Sequence, residues 1–172
     1  MNLTVQDIHI LISIGNSEQP IDDGIIIYFK SHDYINRLHG QTWKQFTDEL
    51  NNDELINLYK GLVLIEGSLN WIGGSVAGAI WVYKSIQGRR LDTDFKIADF
   101  GLRYCDNPWI PFGSSYYGKR TIEDYFAYKE EKSRINTIKA ERYEKVLQRV
   151  TGRKEKRAAA IAELRKLSRE ER

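Results

Sequence analysis

The 172-residue sequence has a single cysteine, a single methionine and three prolines. Because Cys105 has no second cysteine to pair with, an internal disulfide is excluded, which suits a reducing compartment. The first residues carry Asp7 and His9 where the apolar stretch of a signal peptide would lie. We therefore expect a cytoplasmic protein.

Long apolar runs are also scarce. Residues 67–83 carry no charge, but they are fewer than the roughly 20 apolar residues that a membrane span needs, and they include Asn70 and four glycines. We expect a buried helix here and no membrane contact. The spacing of Gly74 and Gly78 predicts a close approach between two helices.

Motifs with known chemistry are missing as well. The chain has no P-loop, no dinucleotide-binding glycine motif, no nucleophile elbow, no CxxC and no HExxH. The sequence therefore predicts a protein that is not an enzyme and that holds neither a cofactor nor a metal.

Charge is unevenly distributed along the chain. Residues 1–118 contain 9 lysines and arginines against 14 acids, a net charge of −5, whereas residues 119–172 contain 17 against 10, a net charge of +7. This change of sign predicts a compact body at 1–118 and a basic helical extension at 119–172.

The hydrophobic periodicity predicts a mainly α fold. The clearest helix follows Asn52, where apolar residues recur at helical spacing. The run GIIIYF at residues 24–29 predicts a strand, a minor N-terminal β element, and residues 4–14 fit either a helix or a strand. The long charged extension is expected to bend or to form a helical hairpin near Gly152, and its apolar spacing is too irregular for a long coiled coil.

The segment RYCDNPWIPFGSSYYGKR, residues 103–120, carries five aromatic residues without helical or strand periodicity. One interpretation is a plug that buries Trp109, Ile110 and Phe112 over the helices. The other is a binding surface, because tyrosine beside lysine or arginine is typical of interfaces. The predicted partner-binding residues are Trp109, Phe112, Tyr116, Tyr117, Lys119 and Arg120 in this segment, and Ile135, Ile138, Tyr143 and Val146 in the extension.

These features favour a non-catalytic adaptor, of the kind found in bacteria, that docks on a larger protein or nucleoprotein assembly. One alternative is direct binding of nucleic acid, because basic helices bind the phosphate backbone by counterion release. The residues predicted for that role are Lys119, Arg120, Arg153, Lys154, Lys156 and Arg157.

A second alternative is a small enzyme. His32, Asp33 and His39 would lie near one face of a helix, and Asp92 with Asp94 forms a carboxylate pair that could act in acid–base chemistry. Each set also has a structural interpretation, because histidines cap helices and acids are favoured at helix N-termini. The enzyme hypothesis requires these groups to converge in one pocket.

Overall fold

A computed structural model describes residues 3–17, 20–70, 73–113 and 121–170, with the side chains of Asn36 and of residues 163–170 excepted. All regular structure in these ranges is helical, so the mainly α prediction is confirmed. The chain forms two compact units, Met1–Phe126 and Ala127–Arg172. The α-helices are α1 (Val5–Asn16), α2 (Asp23–Ser31), α3 (Gly40–Glu49), α4 (Asn52–Leu69), α5 (Gly78–Gly88), α6 (Lys96–Tyr104) and α7 (Ile122–Glu170).

The predicted strand at residues 24–29 is wrong, because this segment lies inside α2, and the described ranges contain no β element. Asp22 caps the helix by accepting a 2.8 Å hydrogen bond from the Gly24 amide. Phe29 is fully buried while Ile27 is 68% exposed, which is the one-sided burial of a surface helix. A short apolar run has too few residues to show whether its period is that of a strand or of a helix.

The sequence of residues 4–14 fits either a helix or a strand. In the structure these residues form the N-terminal cap and most of α1. Thr4 and Asp7 make a capping box, in which the Thr4 hydroxyl accepts from the Asp7 amide at 3.2 Å and the Asp7 carboxylate accepts from the Thr4 amide at 2.8 Å. The Tyr28 hydroxyl donates a 2.6 Å hydrogen bond to the same carboxylate. Asp7 therefore completes the capping box of α1 and links α2 to α1 through Tyr28.

Helices α1 and α4 cross with their backbones in contact. A Cβ atom on Gly15 would overlap the Asn57 carbonyl oxygen, and one on Gly61 would overlap the Leu11 carbonyl oxygen. Only glycine fits at these two positions, because the atoms in the way belong to the backbone and cannot rotate aside. Helix α4 also contacts α2, α5 and α6, which makes it the central helix of the first unit.

The predicted close approach at Gly74 and Gly78 is found at one of the two residues. Gly78 begins α5 and packs against the indole ring of Trp43 in α3, where a Cβ would lie 2.5 Å from a ring carbon. Gly74 lies in a short 3₁₀ turn with φ +56°, so its role is conformational. The core of the unit lies mainly along α4 and α5, with the fully buried side chains Leu55, Leu58, Tyr59, Val63, Ile65, Ile80, Val82, Tyr83 and Ile86.

The described part of the aromatic segment packs on this core. Ile110 is fully buried, and Trp109 and Phe112 are half-buried against the core. The Phe112 ring stacks on the Tyr125 ring with centroids 4.0 Å apart. This half of the segment forms the plug over the helices, whereas residues 114–120, with the predicted binding residues Tyr116, Tyr117, Lys119 and Arg120, lie outside the described residues.

Candidate binding surface

Helix α7 is capped at its start and continues without interruption. The Thr121 hydroxyl accepts a 3.1 Å hydrogen bond from the Asp124 amide, and Glu123 and Asp124 lie at the positive end of the helix. The helix then runs through Gly152 to Glu170. The chain does not turn back into a helical hairpin at Gly152, because one glycine lowers helix propensity without ending a helix.

The first turn of α7 packs on the first unit. Tyr125 is buried against Phe112, and the Phe126 ring meets the Phe95 ring edge-on with centroids 5.0 Å apart. The second compact unit begins at Ala127, whereas the sequence places the start of the extension at residue 119.

Large apolar side chains are exposed along the second unit. Tyr143 is 71% exposed and Val146 is 56% exposed, and all seven such residues are at least 41% exposed. Exposed apolar side chains grouped in this way mark interaction sites. The seven residues are Ile135, Ile138, Tyr143, Val146, Leu147, Val150 and Ile161.

Five of these seven residues share one sector of the helix. A regular α-helix turns by about 100° per residue, so Ile135, Val146 and Val150 lie within about 60° of one another. Tyr143 and Ile161 follow at the edge of the same sector. Of the four residues predicted for this helix, Ile135, Tyr143 and Val146 therefore share a face, and Ile138 flanks it.

Positive charge lies in the same sector. Six lysines and arginines fall within about 60° of its centre, and no acid among residues 127–162 does. We call this sector the apolar-cationic face. It comprises Ile135, Tyr143, Val146, Val150 and Ile161 with the cations Lys132, Lys139, Arg142, Arg153, Lys154 and Arg157.

The acids of the same stretch lie on the other side of the helix. Glu130, Glu141, Glu144 and Glu155 occupy the half opposite the apolar-cationic face, and Glu131 lies at its margin. The acids are thus kept off the apolar-cationic face, whereas cations occur both on this face and outside it. Of the four tail residues predicted to contact nucleic acid, three lie on the face and Lys156 lies beside it.

The histidines proposed for catalysis have separate surroundings. His32 Nδ1 donates a 2.8 Å hydrogen bond to the Tyr28 carbonyl oxygen, and its ring stacks on the Tyr28 ring at 4.1 Å. His39 caps α3 by accepting a 3.2 Å hydrogen bond from the Gln41 amide. Asp33 pairs with Arg37 at 3.5 Å on the surface. These contacts have no residue in common, and the described residues contain no group of three metal ligands.

The two carboxylates of the Asp92–Asp94 pair also differ in their partners. Asp92 is buried and accepts hydrogen bonds from the Tyr83 hydroxyl at 2.9 Å and from the Ile97 and Ala98 amides at 2.9 and 2.8 Å. It therefore satisfies the N-terminal amides of α6. Asp94 is exposed and pairs with Lys96 at 2.7 Å.

Cys105 lies in an environment that suppresses thiol reactivity. Burial and the neighbouring Glu66 carboxylate raise the pKa of the Cys105 thiol to about 12. The thiolate is the reactive form, so the side chain is poorly suited to nucleophilic chemistry near neutral pH.

A groove of about 520 Å³ lies between α3 and α5, and of the residues predicted for a site its lining includes only His39. It is lined by His39, Lys44, Trp81 and Lys84, among others, and the Lys84 ammonium lies 3.8 Å from the centre of the Trp81 ring. The spacing of Trp81 and Lys84, three residues apart on a helix, is the one feature of the sequence that indicates this contact.

Most of the charge in this groove has a structural role. Arg89 donates to the Thr47 and Leu50 carbonyl oxygens at 2.6 and 2.8 Å, which satisfies the end of α3. Lys44 pairs with Asp48 at 2.7 Å. The groove therefore offers few groups to a ligand, and the apolar-cationic face is the stronger candidate surface.

No protein-family model, curated protein or solved structure matches the chain. No described helix is both long enough and apolar enough to cross a membrane.

Proposed function

We propose that the chain is a non-catalytic binding protein that docks on a larger protein or nucleoprotein assembly through the apolar-cationic face of α7. The observation that carries this proposal is the exposure of Ile135, Tyr143, Val146, Val150 and Ile161 in one sector of a helix. Exposed apolar side chains in water cost free energy that a binding partner recovers by covering them.

The composition of the face supports the same function. Tyrosine and arginine are enriched at protein interfaces and among the residues that dominate binding energy. On α7 the exposed Tyr143 has Arg142 next to it in the sequence and Val146 one turn further on. An amphipathic helix of this kind docks by laying its apolar positions into a groove of the partner.

The experiment compares two double variants of the full-length chain. Val146→Glu with Val150→Glu places two negative charges on the face, and the matched control, Gln148→Glu with Thr151→Glu, places the same charge on the opposite side. We expect the first variant to lower partner recovery from the native cells about tenfold, which corresponds to about 1.4 kcal/mol, and the control to leave it unchanged.

The same two variants also show which result would contradict the proposal. Circular dichroism shows whether both variants keep their helix content, because glutamate is a good helix former and all four positions are exposed. Equal recovery with both variants, or equal loss, would show that this face does not make the contact.

Direct binding of nucleic acid is the second candidate. It is favoured by the position of Arg153, Lys154 and Arg157 on one face and by the net charge of residues 127–172, which contain 15 lysines and arginines against 8 acids. Such binding falls steeply with salt, because each phosphate contact releases counterions. Gel shifts of the full-length chain at low and moderate salt test it, and a failure to retard both single-stranded and double-stranded probes excludes it.

A further inference from the structure

We infer that the occupant of the apolar-cationic face is a groove in another protein that has an apolar floor and acidic rims. This inference rests on the proposed function and names the chemistry of its partner. It depends on one juxtaposition: five exposed apolar side chains share a sector of α7 with six cations and with no acid, while four of the five acids of residues 127–162 lie opposite. A surface complementary to that sector must combine apolar area with negative charge.

A second copy of the chain does not have that complementarity. Pairing two such faces would bring the cations of one helix against those of the other, and like charges across a helix interface disfavour pairing. The glutamates that would be needed to offset them, such as Glu141 and Glu144, point away from the contact. Self-association through this face is therefore disfavoured by its charge.

Nucleic acid matches the cations but not the apolar residues. A phosphate backbone pairs with Arg142, Arg153 and Arg157, yet it offers no apolar surface to Val146 and Val150 at the centre of the sector. Both valines would be held against charged oxygens. A protein groove can bury the valines and pair the cations at the same time.

A bilayer surface is also a poorer match. Helices that lie in a membrane interface carry lysine and arginine on the polar face and a continuous apolar face with tryptophan, phenylalanine or leucine. On α7 the cations interrupt the apolar row, as Lys139 lies between Ile135 and Tyr143, and the polar face is rich in glutamate. No tryptophan or phenylalanine occurs in residues 127–162.

The test places a photo-cross-linking amino acid, p-benzoylphenylalanine, in the full-length chain at one position per variant. Val146 reports on the apolar-cationic face, and Gln148 reports on the opposite side. After irradiation in the native cells, we expect at least about tenfold more adduct from position 146 than from position 148. The adduct should be unchanged by nuclease and free of lipid, and mass spectrometry should find in it a peptide of a second protein that carries acids beside apolar residues.

Charge reversal gives a second, independent readout on the same cross-link. Arg142→Glu with Arg153→Glu reverses two cations of the face, and the matched control, Arg134→Glu with Lys145→Glu, reverses two cations that lie outside it. We expect the first pair to lower the adduct at position 146 about tenfold and the control pair to change it less than twofold, because only the first pair faces the acidic rims.

Each other outcome overturns the inference. A nuclease-sensitive adduct identifies nucleic acid as the occupant, an adduct of twice the chain mass identifies a second copy, and a lipid adduct identifies a bilayer. The absence of an adduct at position 146, or equal adducts at both positions, rejects the face itself. If the valine variants lose the partner but charge reversal has no effect, the proposed function stands and the acidic groove is rejected.

Discussion

The side-chain amide of Asn107 donates a 2.6 Å hydrogen bond to Oε1 of Glu66, and both side chains are buried. Glu66 belongs to α4, and the same oxygen accepts a 3.4 Å hydrogen bond from the Gly73 amide. A buried carboxylate is tolerated only when it is hydrogen-bonded. This contact therefore fastens the aromatic segment after α6 to the central helix of the first unit.

Replacement of Asn107 should weaken that attachment. In Asn107→Ala, Glu66 loses its short side-chain donor and the Trp109 amide loses its 3.0 Å acceptor. We expect the free energy of unfolding to fall by about 1–3 kcal/mol, measured by urea denaturation. Asn136→Ala, an exposed asparagine of α7, is the control and should change it by less than about 0.5 kcal/mol.

The crossing of α1 and α4 predicts a strong effect at Gly61. Alanine there would overlap the Leu11 carbonyl oxygen, so the two helices must separate or shift. We expect Gly61→Ala to lower the free energy of unfolding by about 1–3 kcal/mol or more. The measurement is chemical denaturation followed by circular dichroism.

Gly152 offers the matched control for that substitution. No atom lies within 4 Å of a Cβ built there, and the residue lies inside α7. Gly152→Ala should therefore stabilise its helix by about 0.5–1 kcal/mol. A loss of stability in Gly152→Ala equal to that in Gly61→Ala would contradict the close crossing.

The raised pKa of Cys105 predicts slow alkylation of the folded protein. Burial and the Glu66 carboxylate raise the pKa of the Cys105 thiol from 9.0 to about 12. The thiolate fraction at pH 8 is therefore about a thousandfold lower than that of an exposed thiol. Iodoacetamide should react with the native chain far more slowly than with the chain in urea. Mass spectrometry follows the reaction, and equal rates in the two states would contradict a partly buried Cys105 with a raised pKa.

Asp7 predicts a dependence of stability on pH. Burial is the largest influence and acts to raise its pKa, but hydrogen bonds from Thr4 and Tyr28 hold the pKa of the Asp7 carboxyl below its ordinary 3.8. Because the pKa of Asp7 is lower in the folded than in the unfolded chain, ionised Asp7 stabilises the fold fully well above pH 3.8. This stabilisation is lost as the pH falls through the pKa of Asp7 in the folded chain.

Asp7→Asn isolates this contribution. We expect the variant to be less stable than the wild type by about 1–2 kcal/mol at pH 7, the range for hydrogen bonds to a charged group. The difference should stay constant down to about pH 5 and shrink below pH 3.8. Urea denaturation from pH 7 to pH 2.5 measures it, and a difference that is the same at every pH would show that the charge of Asp7 contributes nothing.

Part of the fold could be read from local patterns. The apolar spacing after Asn52 predicts α4, which begins at Asn52 and is capped by Asn51. The strand predicted at residues 24–29 is wrong because so short an apolar run shows no clear period, and the cap of α2 is the preceding Asp22.

The candidate surface was predicted only in part. The sequence predicts Ile135, Tyr143 and Val146 as binding residues of the extension, but not the distribution of charge around the helix. It becomes visible only when α7 is one continuous helix, because an interruption at Gly152 would change the angular position of Arg153 and Arg157 relative to Val146.

The order of residues along the chain was enough to establish the mainly helical class of the fold, the lack of catalytic motifs and the basic character of the last third, since each depends on neighbours within a few positions. Folding in three dimensions was needed to bring Gly15 against α4, to bury Glu66 beside Asn107 and to separate the charges around α7. The first two relationships join residues distant in sequence, which no local pattern encodes, and the third requires that α7 run unbroken through Gly152.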